Sequence, residues 1–366
     1  MKNFKVFFST FFCLFLLSSQ GLYAKENQPF SSKKISQKKS LKISEKNEIN
    51  NKALTKNEEE FFKHSLTVSI DKLNGKADEI VYDGNKKLSH LEWDIKNLKM
   101  LSLGFTSKIP DLFEGNSDLF ETRIKFSNAI NGGNGGMVDS DWIGKNYDGN
   151  KNHENWTHRS FSDVKIQKAQ QFDIAGSFNL FKEEFRFNFG YKHDRFKWRD
   201  YGGRYIYSSL NKEQTESIAF RDIEGDSNGE RGITYEQIFK TPYIGLEYRK
   251  ELFDKKIYGN IFGNYSNLVS AEDEDMHHQR NLKFNEYFKN GEYYNWGVNI
   301  FGKIKENLYL GAGYEYVYYP ENRGYTIMKN LNTNKSYRYD NSAGIRNEFS
   351  KISVNLKYNF ATTSTL

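Results

Sequence analysis

Segment after segment of this chain alternates apolar and polar residues with a period of two, and that repeat limits the fold more than any other feature. Ile352, Val354, Leu356, Tyr358 and Phe360 alternate with Ser353, Asn355, Lys357 and Asn359. Tyr294, Trp296, Val298 and Ile300 alternate with Asn295, Gly297, Asn299 and Phe301, and Phe172, Ile174, Gly176, Phe178 and Leu180 do the same with Asp173, Ala175, Ser177 and Asn179. Period two with one apolar face is strand. The partner face is small or polar in most of these segments, which predicts a wet interior rather than a sandwich core. Ten strands are predicted, over residues 65–82, 88–107, 119–131, 165–181, 185–199, 233–251, 256–270, 292–304, 307–320 and 347–360.

Each predicted strand is longer than the roughly 9–11 residues that a tilted strand needs to cross a bilayer. The connections alternate. Short ones fall near 182–184, 253–255 and 305–306, and long polar ones cover 132–164, 200–232, 271–291 and 321–346. Short turns on one side and long loops on the other mark an outer-membrane barrel, and an even strand count puts both ends of the chain on the short-turn side. The fold class is therefore all-β, a ten-stranded antiparallel transmembrane β-barrel extending beyond the outer membrane. Composition agrees: aromatic residues make up 16% and charged residues 27%, with only 4 prolines. A soluble all-β protein would leave the aromatic face as a large exposed patch. The net charge of +6 over 366 residues gives no argument for a nucleic-acid partner.

Residues 1–24 read as a secretory signal peptide. Lys2 and Lys5 precede the apolar run 6–17, and cleavage is expected after Ala24. The run holds Cys13, the one cysteine, so the exported chain is expected to contain no disulfide. Residues 25–60 are rich in Lys, Ser and Asn and read as a disordered arm. The barrel is expected over 61–360, followed by a C-terminal extension, 361–366.

Two acidic stretches carry candidate chemistry. Met137-Val138-Asp139-Ser140-Asp141-Trp142 follows the glycine-rich run 131–136, read as a flexible approach. Asp273-Glu274-Asp275-Met276-His277-His278 lies far downstream. The predicted topology puts the first in the outer loop between strands three and four and the second between strands seven and eight, facing each other across the mouth. Glu79 falls at the outer end of strand one, on the same rim. Asp275 can hold one ring nitrogen of His277 and favour the tautomer that accepts a proton. Asp139 and Asp141 are close enough for one pKa to rise, so the couple can share a proton. A water between His277 and Asp139 would then attack a peptide bond. Two other readings stay open: a solvated acidic loop, and a zinc or calcium site, although no spacing matches a known cage. Ser160 is a loop serine with no evident base.

The chain resembles the omptin family of outer-membrane endopeptidases over about residues 65–360. The resemblance rests on MVDSDW, on VSAEDEDMHH (269–278), GGRYIYSS (202–209), NGERGITY (228–235), FKTPYIGL (239–246) and LEWDI (91–95), in omptin order. It implies a hydrolase that cleaves between basic residues. Asp139 and Asp141 would be the catalytic couple, Asp275 and His277 the dyad, and Glu79 and Asp273 the acidic pair that receives Arg or Lys before the scissile bond. It also implies dependence on lipopolysaccharide, with Tyr191 and Arg195 in the lipid site, no metal cofactor, and a monomer acting on peptides or proteins with basic residues from the extracellular side. Three positions depart from the pattern. His158 stands where omptins that favour a basic residue after the bond carry Asp. Ile238 stands where a basic lipid-binding residue is expected. Ala361–Leu366 follow Phe360, the aromatic expected to end the barrel. A surface adhesin or structural barrel with little peptidase activity is the alternative.

Overall fold

A computed structural model of the chain describes residues 61–109, 120–143, 155–180, 184–213, 217–227, 229–253 and 256–363. The expected leader and arm lie outside the described residues. The elements are β1 (Phe61–Asp83), β2 (Lys86–Ile109), β3 (Phe120–Ala129), β4 (Gly133–Asp141), β5 (His158–Asn179), β6 (Phe185–Asp200), β7 (Arg204–Leu210), β8 (Ser217–Asp226), β9 (Ile233–Leu252), β10 (Ile257–His277), β11 (Leu282–Lys305), β12 (Leu308–Asn330) and β13 (Lys335–Thr363).

The strands close into a ring. The order runs β3, β2, β1, β13, β12, β11, β10, β9, β6, β5, and β3 pairs with β5 to complete it, all antiparallel. β4 continues the stave begun by β3, since both lie between β2 and β5. The β7–β8 hairpin leaves the ring, touching it only through β5. The ring therefore has ten staves, as the alternation predicted. Phe61 pairs with Thr363, so the first and last strands end at the same rim. β13 runs three residues past Phe360, which puts the start of the expected extension inside the barrel wall.

The lower part of the wall is apolar outside and polar inside. Leu66, Val68 and Ile70 on β1, Leu101, Leu103 and Phe105 on β2, and Trp296, Val298 and Ile300 on β11 are exposed. Inside, Glu121 takes Arg186 at 3.2 Å and Arg249 at 2.8 Å, and Glu315 takes Lys351 at 2.6 Å and Lys192 at 3.3 Å. Backbone groups facing lipid must be paired within the protein, and a closed sheet does this with no edge.

Higher up the pattern inverts, and the expected wet interior gives way to a core. Trp93, Trp198, Tyr235, Phe196, Phe239, Tyr319 and Phe349 are fully buried inside the ring. Trp93 stacks on Tyr235 at 5.3 Å and Phe239 on Tyr319 at 4.1 Å.

Between the two parts lies a belt of register shifts: Leu73/Gly75, Ile166/Lys168, Tyr265/Ser270, Ser266/Val269 and Tyr319/Asn322. One extra residue in a strand turns every later side chain to the other face. On β10, Asn264 and Ser266 are buried below the belt, whereas Val269, Ala271, Asp273 and Asp275 are buried above it. The inward set changes from even to odd numbers across the bulge.

The upper part also corrects the predicted loops. Residues 271–277 and 282–291 belong to β10 and β11, and 321–330 and 335–346 belong to β12 and β13. The region read as the loop 200–232 contains the β7–β8 hairpin, and that read as 132–164 contains β4 and the start of β5. These strands carry polar residues on their outer face because water, not lipid, surrounds them, so the hydropathy alternation that marks a strand fades there.

Candidate active site

The catalytic candidates stand on strands, not on loops. β4 is narrow enough to pack between β2 and β5 because of its glycines. A Cβ on Gly135 would lie 2.2 Å from the Asp94 carbonyl oxygen, and one on Gly133 would lie 2.7 Å from Leu98. The run read as a flexible approach is a close-packed edge-to-edge contact. It carries Asp139 opposite Leu91 and Ser160, and Asp141 opposite Ser89 and His158. At i and i+2 both aspartates share the inner face. Ser89 Oγ donates to Asp139 Oδ1 at 3.2 Å.

β10 supplies the other wall. Its bulge directs Asp273, Asp275 and His277 inward. Asp275, 1% exposed, holds His277 Nε2 at 2.5 Å from Oδ2. Arg280, in the turn after β10, donates to His277 Nδ1. With Nε2 turned to a carboxylate and Nδ1 accepting from a guanidinium, the ring carries its proton on Nε2 and presents Nδ1 as the basic nitrogen. Phe284 meets the ring edge-on at 5.3 Å.

The two walls act on each other electrically. Burial raises the pKa of Asp139 well above the ordinary carboxylate value; the charges of Asp141 and Asp275 raise it further, and Ser89 and Arg280 pull against this. Asp141 is pushed up to about 6 by burial, against the opposing effects of Ser89, Arg280 and His277. The pair can therefore hold one proton at neutral pH, mainly on Asp139.

Glu79, 3% exposed, also points inward from β1. Its pKa is raised well above the usual range by burial first, then by Asp275, Glu286, Asp273 and Asp139. Asp273 accepts from the Tyr235 hydroxyl at 3.0 Å, and Gln237 Nε2 donates to that hydroxyl at 2.8 Å. Glu286 on β11 lies opposite Asp273 and accepts from Thr326 Oγ1 at 2.7 Å. Sequence reasoning missed Glu286. Its signal was an acid between Phe284 and Phe288 on an otherwise apolar inward row.

The remaining candidates fall elsewhere. His158 lies beside the couple, with Nδ1 3.0 Å from Thr157 Oγ1 and its ring 4.9 Å from Tyr207; burial lowers its pKa. Ser160 hydrogen-bonds Tyr207. Tyr191 and Arg195 sit on the outward stripe of β6, away from the cleft; Arg195 ion-pairs with Glu236 and faces Ile238 across the strand. Among the described residues one group has metal-ligand proximity, Asp78, His90 and Glu92. It lies on β1 and β2 and does not include the cleft carboxylates.

A ten-stave antiparallel barrel with an aspartate couple facing an aspartate–histidine dyad now has a counterpart among known families. The Omptin family model matches residues 60–360.

The chain belongs to the omptin family.

It is 30% identical over 307 residues to the plasminogen activator of Yersinia pestis, covering 81% of this chain and 89% of the relative. It is 30% identical to protease 7 of Escherichia coli strain K12, covering 80% and 89%, and 29% identical to the outer membrane protease IcsP of Shigella flexneri, covering 81% and 90%. The crystal structure of the outer membrane protease OmpT from Escherichia coli superimposes with a TM-score of 0.72 at 27% identity, covering 82% of this chain and 98% of that one. This omptin is thus an outer-membrane barrel of a protease family.

Proposed function

We propose that this omptin is an endopeptidase that cleaves exposed peptides or proteins after Arg or Lys, using a water held between His277 and Asp139 on the extracellular side. The observation that carries the reading is the inward pair Asp139 and Asp141 on β4 set against the Asp275–His277 contact on β10. His277 Nδ1 takes a proton from the water once Arg280 swings aside, and the imidazolium is stabilised by Asp275. Protonated Asp139 donates to the developing oxyanion, and ionised Asp141 offsets the new positive charge. The water attacks directly, so no acyl-enzyme forms, and the His277 imidazolium then gives its proton to the amine nitrogen as the C–N bond breaks. Glu79 and Asp273 supply acceptors for the cation before the scissile bond.

Lipopolysaccharide on the outer wall is part of the same proposal. Tyr191, Arg195 and Lys197 form an outward row on β6, but Ile238 occupies the neighbouring place on β9 and Glu236 engages both cations. Lipid dependence is therefore expected to be weaker than an unpaired basic cluster would give.

The test is cleavage of fluorogenic peptides with Arg-Arg and Arg-Val centres by refolded residues 25–366, with and without rough lipopolysaccharide and with EDTA. Cleavage after Arg, lost in Asp139→Ala and His277→Ala and unchanged by EDTA, is expected. A folded barrel that cleaves neither peptide in any lipid would leave the surface adhesin reading in its place. The Arg-Val to Arg-Arg ratio reads the effect of His158.

A further inference from the structure

Three buried carboxylates in the cleft have no cation. Glu79, Asp273 and Glu286 are 3%, 5% and 2% exposed. One oxygen of each, Glu79 Oε2, Asp273 Oδ1 and Glu286 Oε2, is buried with no hydrogen-bond partner. Among the described residues none of the three enters an ion pair, whereas Glu121, Glu247, Asp194 and Glu315 in the lower barrel each face Arg or Lys. Asp273 and Glu286 are also direct cross-strand partners, and like charges in that position destabilise a sheet. A buried carboxylate with no cation is costly to ionise and keeps its proton until a cation arrives. An arrangement this unfavourable in the empty protein fits a cation brought by a ligand.

We propose that Glu286 is a third specificity-determining acid of the cleft, which, with Glu79 and Asp273, selects a guanidinium over an ammonium in the residue before the scissile bond. The inference rests on the proteolytic reading and extends the acidic pair by a residue from a third strand. The three acceptors stand on β1, β10 and β11. A guanidinium spreads five N–H donors over a planar fork and reaches acceptors on several sides, whereas an ammonium concentrates three donors at one point. The Tyr235 hydroxyl and Thr326 Oγ1 fix the carboxylates from behind, leaving their free oxygens for the ligand. Burial, and after it the charge of Glu286, raises the pKa of Asp273 well above the ordinary carboxylate range, so a proton is held in the empty cleft. Burial pushes Glu286 up to about 8, so the cation displaces this proton to solvent and binds more tightly as pH rises toward that value.

Binding is measured separately from cleavage. The His277→Ala protein in detergent with rough lipopolysaccharide is titrated against fluorescein-labelled peptides centred on Arg, Lys or citrulline, by anisotropy. Adding Glu286→Gln is expected to weaken the Arg peptide about ten-fold or more, the loss of one charge-assisted hydrogen bond. The Lys peptide should weaken less, the citrulline peptide should not change, and Glu286→Asp should recover part of the Arg affinity. The tightening between pH 6 and 8.5 should flatten in Glu286→Gln. Heat-modifiability on SDS gels verifies the fold, and Glu286→Gln should resist heat at least as well as its parent. Unchanged Arg affinity and pH dependence in a folded Glu286→Gln protein would overturn the proposal. If the His277→Ala protein binds Arg peptides selectively but the wild type cleaves none, the hydrolytic reading fails and the assignment of Glu286 stands.

Discussion

The lower and upper halves of this barrel bury charge in opposite ways. Below the belt of bulges, Glu121 is surrounded by Arg186 and Arg249, and Glu315 by Lys192 and Lys351. Above it, Glu79, Asp139, Asp273 and Glu286 press on one another around a single dyad, and burial and mutual repulsion raise their pKa values. The same wall thus has one half in which charges are neutralised within the chain and another in which they are left for a ligand. Stability and activity should respond to mutation in different halves.

The largest effect should come from the base of the upper half. His277→Ala removes the group that takes the proton of the water. Hydrolysis of an Arg-centred peptide should fall by roughly 10²–10⁴-fold, the part attributable to general-base catalysis, while heat-modifiability still shows a barrel. Retained activity would mean that His277 is not the base.

Glu121→Ala should do the reverse. It strands Arg186 and Arg249, and removing one member of a buried ion pair costs about 3–5 kcal/mol. The barrel should unfold at lower temperature, with hydrolysis per folded molecule unchanged. Equal losses in both measurements would erase the contrast between halves.

Acidity sharpens the comparison. A carboxyl whose folded pKa is raised contributes stability while protonated, and that stability is lost as pH climbs from the unfolded value through the folded one. The upper half should therefore loosen between about pH 4.5, near the ordinary carboxylate value, and pH 8, where Glu286 titrates. Glu79→Gln should blunt this loss in heat-modifiability scans across that range. Activity should show an acid limb near pH 6 from Asp141, absent from what remains in Asp141→Asn.

The smallest effect is expected at Arg280. Its contact covers His277 Nδ1, and a hydrogen bond of this kind contributes about 0.5–1.5 kcal/mol. Arg280→Ala should speed cleavage a few-fold at low substrate. Slower cleavage would mean that Arg280 helps the reaction instead of covering the base.

Legibility in the sequence follows the solvent. Where lipid meets the wall, Leu66–Ile70 or Trp296–Ile300 alternate plainly with polar inward neighbours, and ten staves could be counted. Where water meets it, Glu272, Glu274 and Met276 alternate with Asp273, Asp275 and His277, and neither face looks apolar, so strand was read as loop. The glycines before Met137 looked flexible because a sequence does not show the Asp94 carbonyl that they approach. The resemblance named both members of each candidate pair, and the geometry brings Asp139, Asp141, Asp275 and His277 to one cleft. Glu286 was missed because one acid in FNEYF carries no motif.

The belt of register shifts has a consequence for how such a chain can vary. A residue gained or lost above Ser270 leaves the pairing of Ile257–Tyr265 with its neighbours untouched. The rim can drift in sequence, and with it the choice of substrate, while the part that must be inserted into a bilayer is inherited without change.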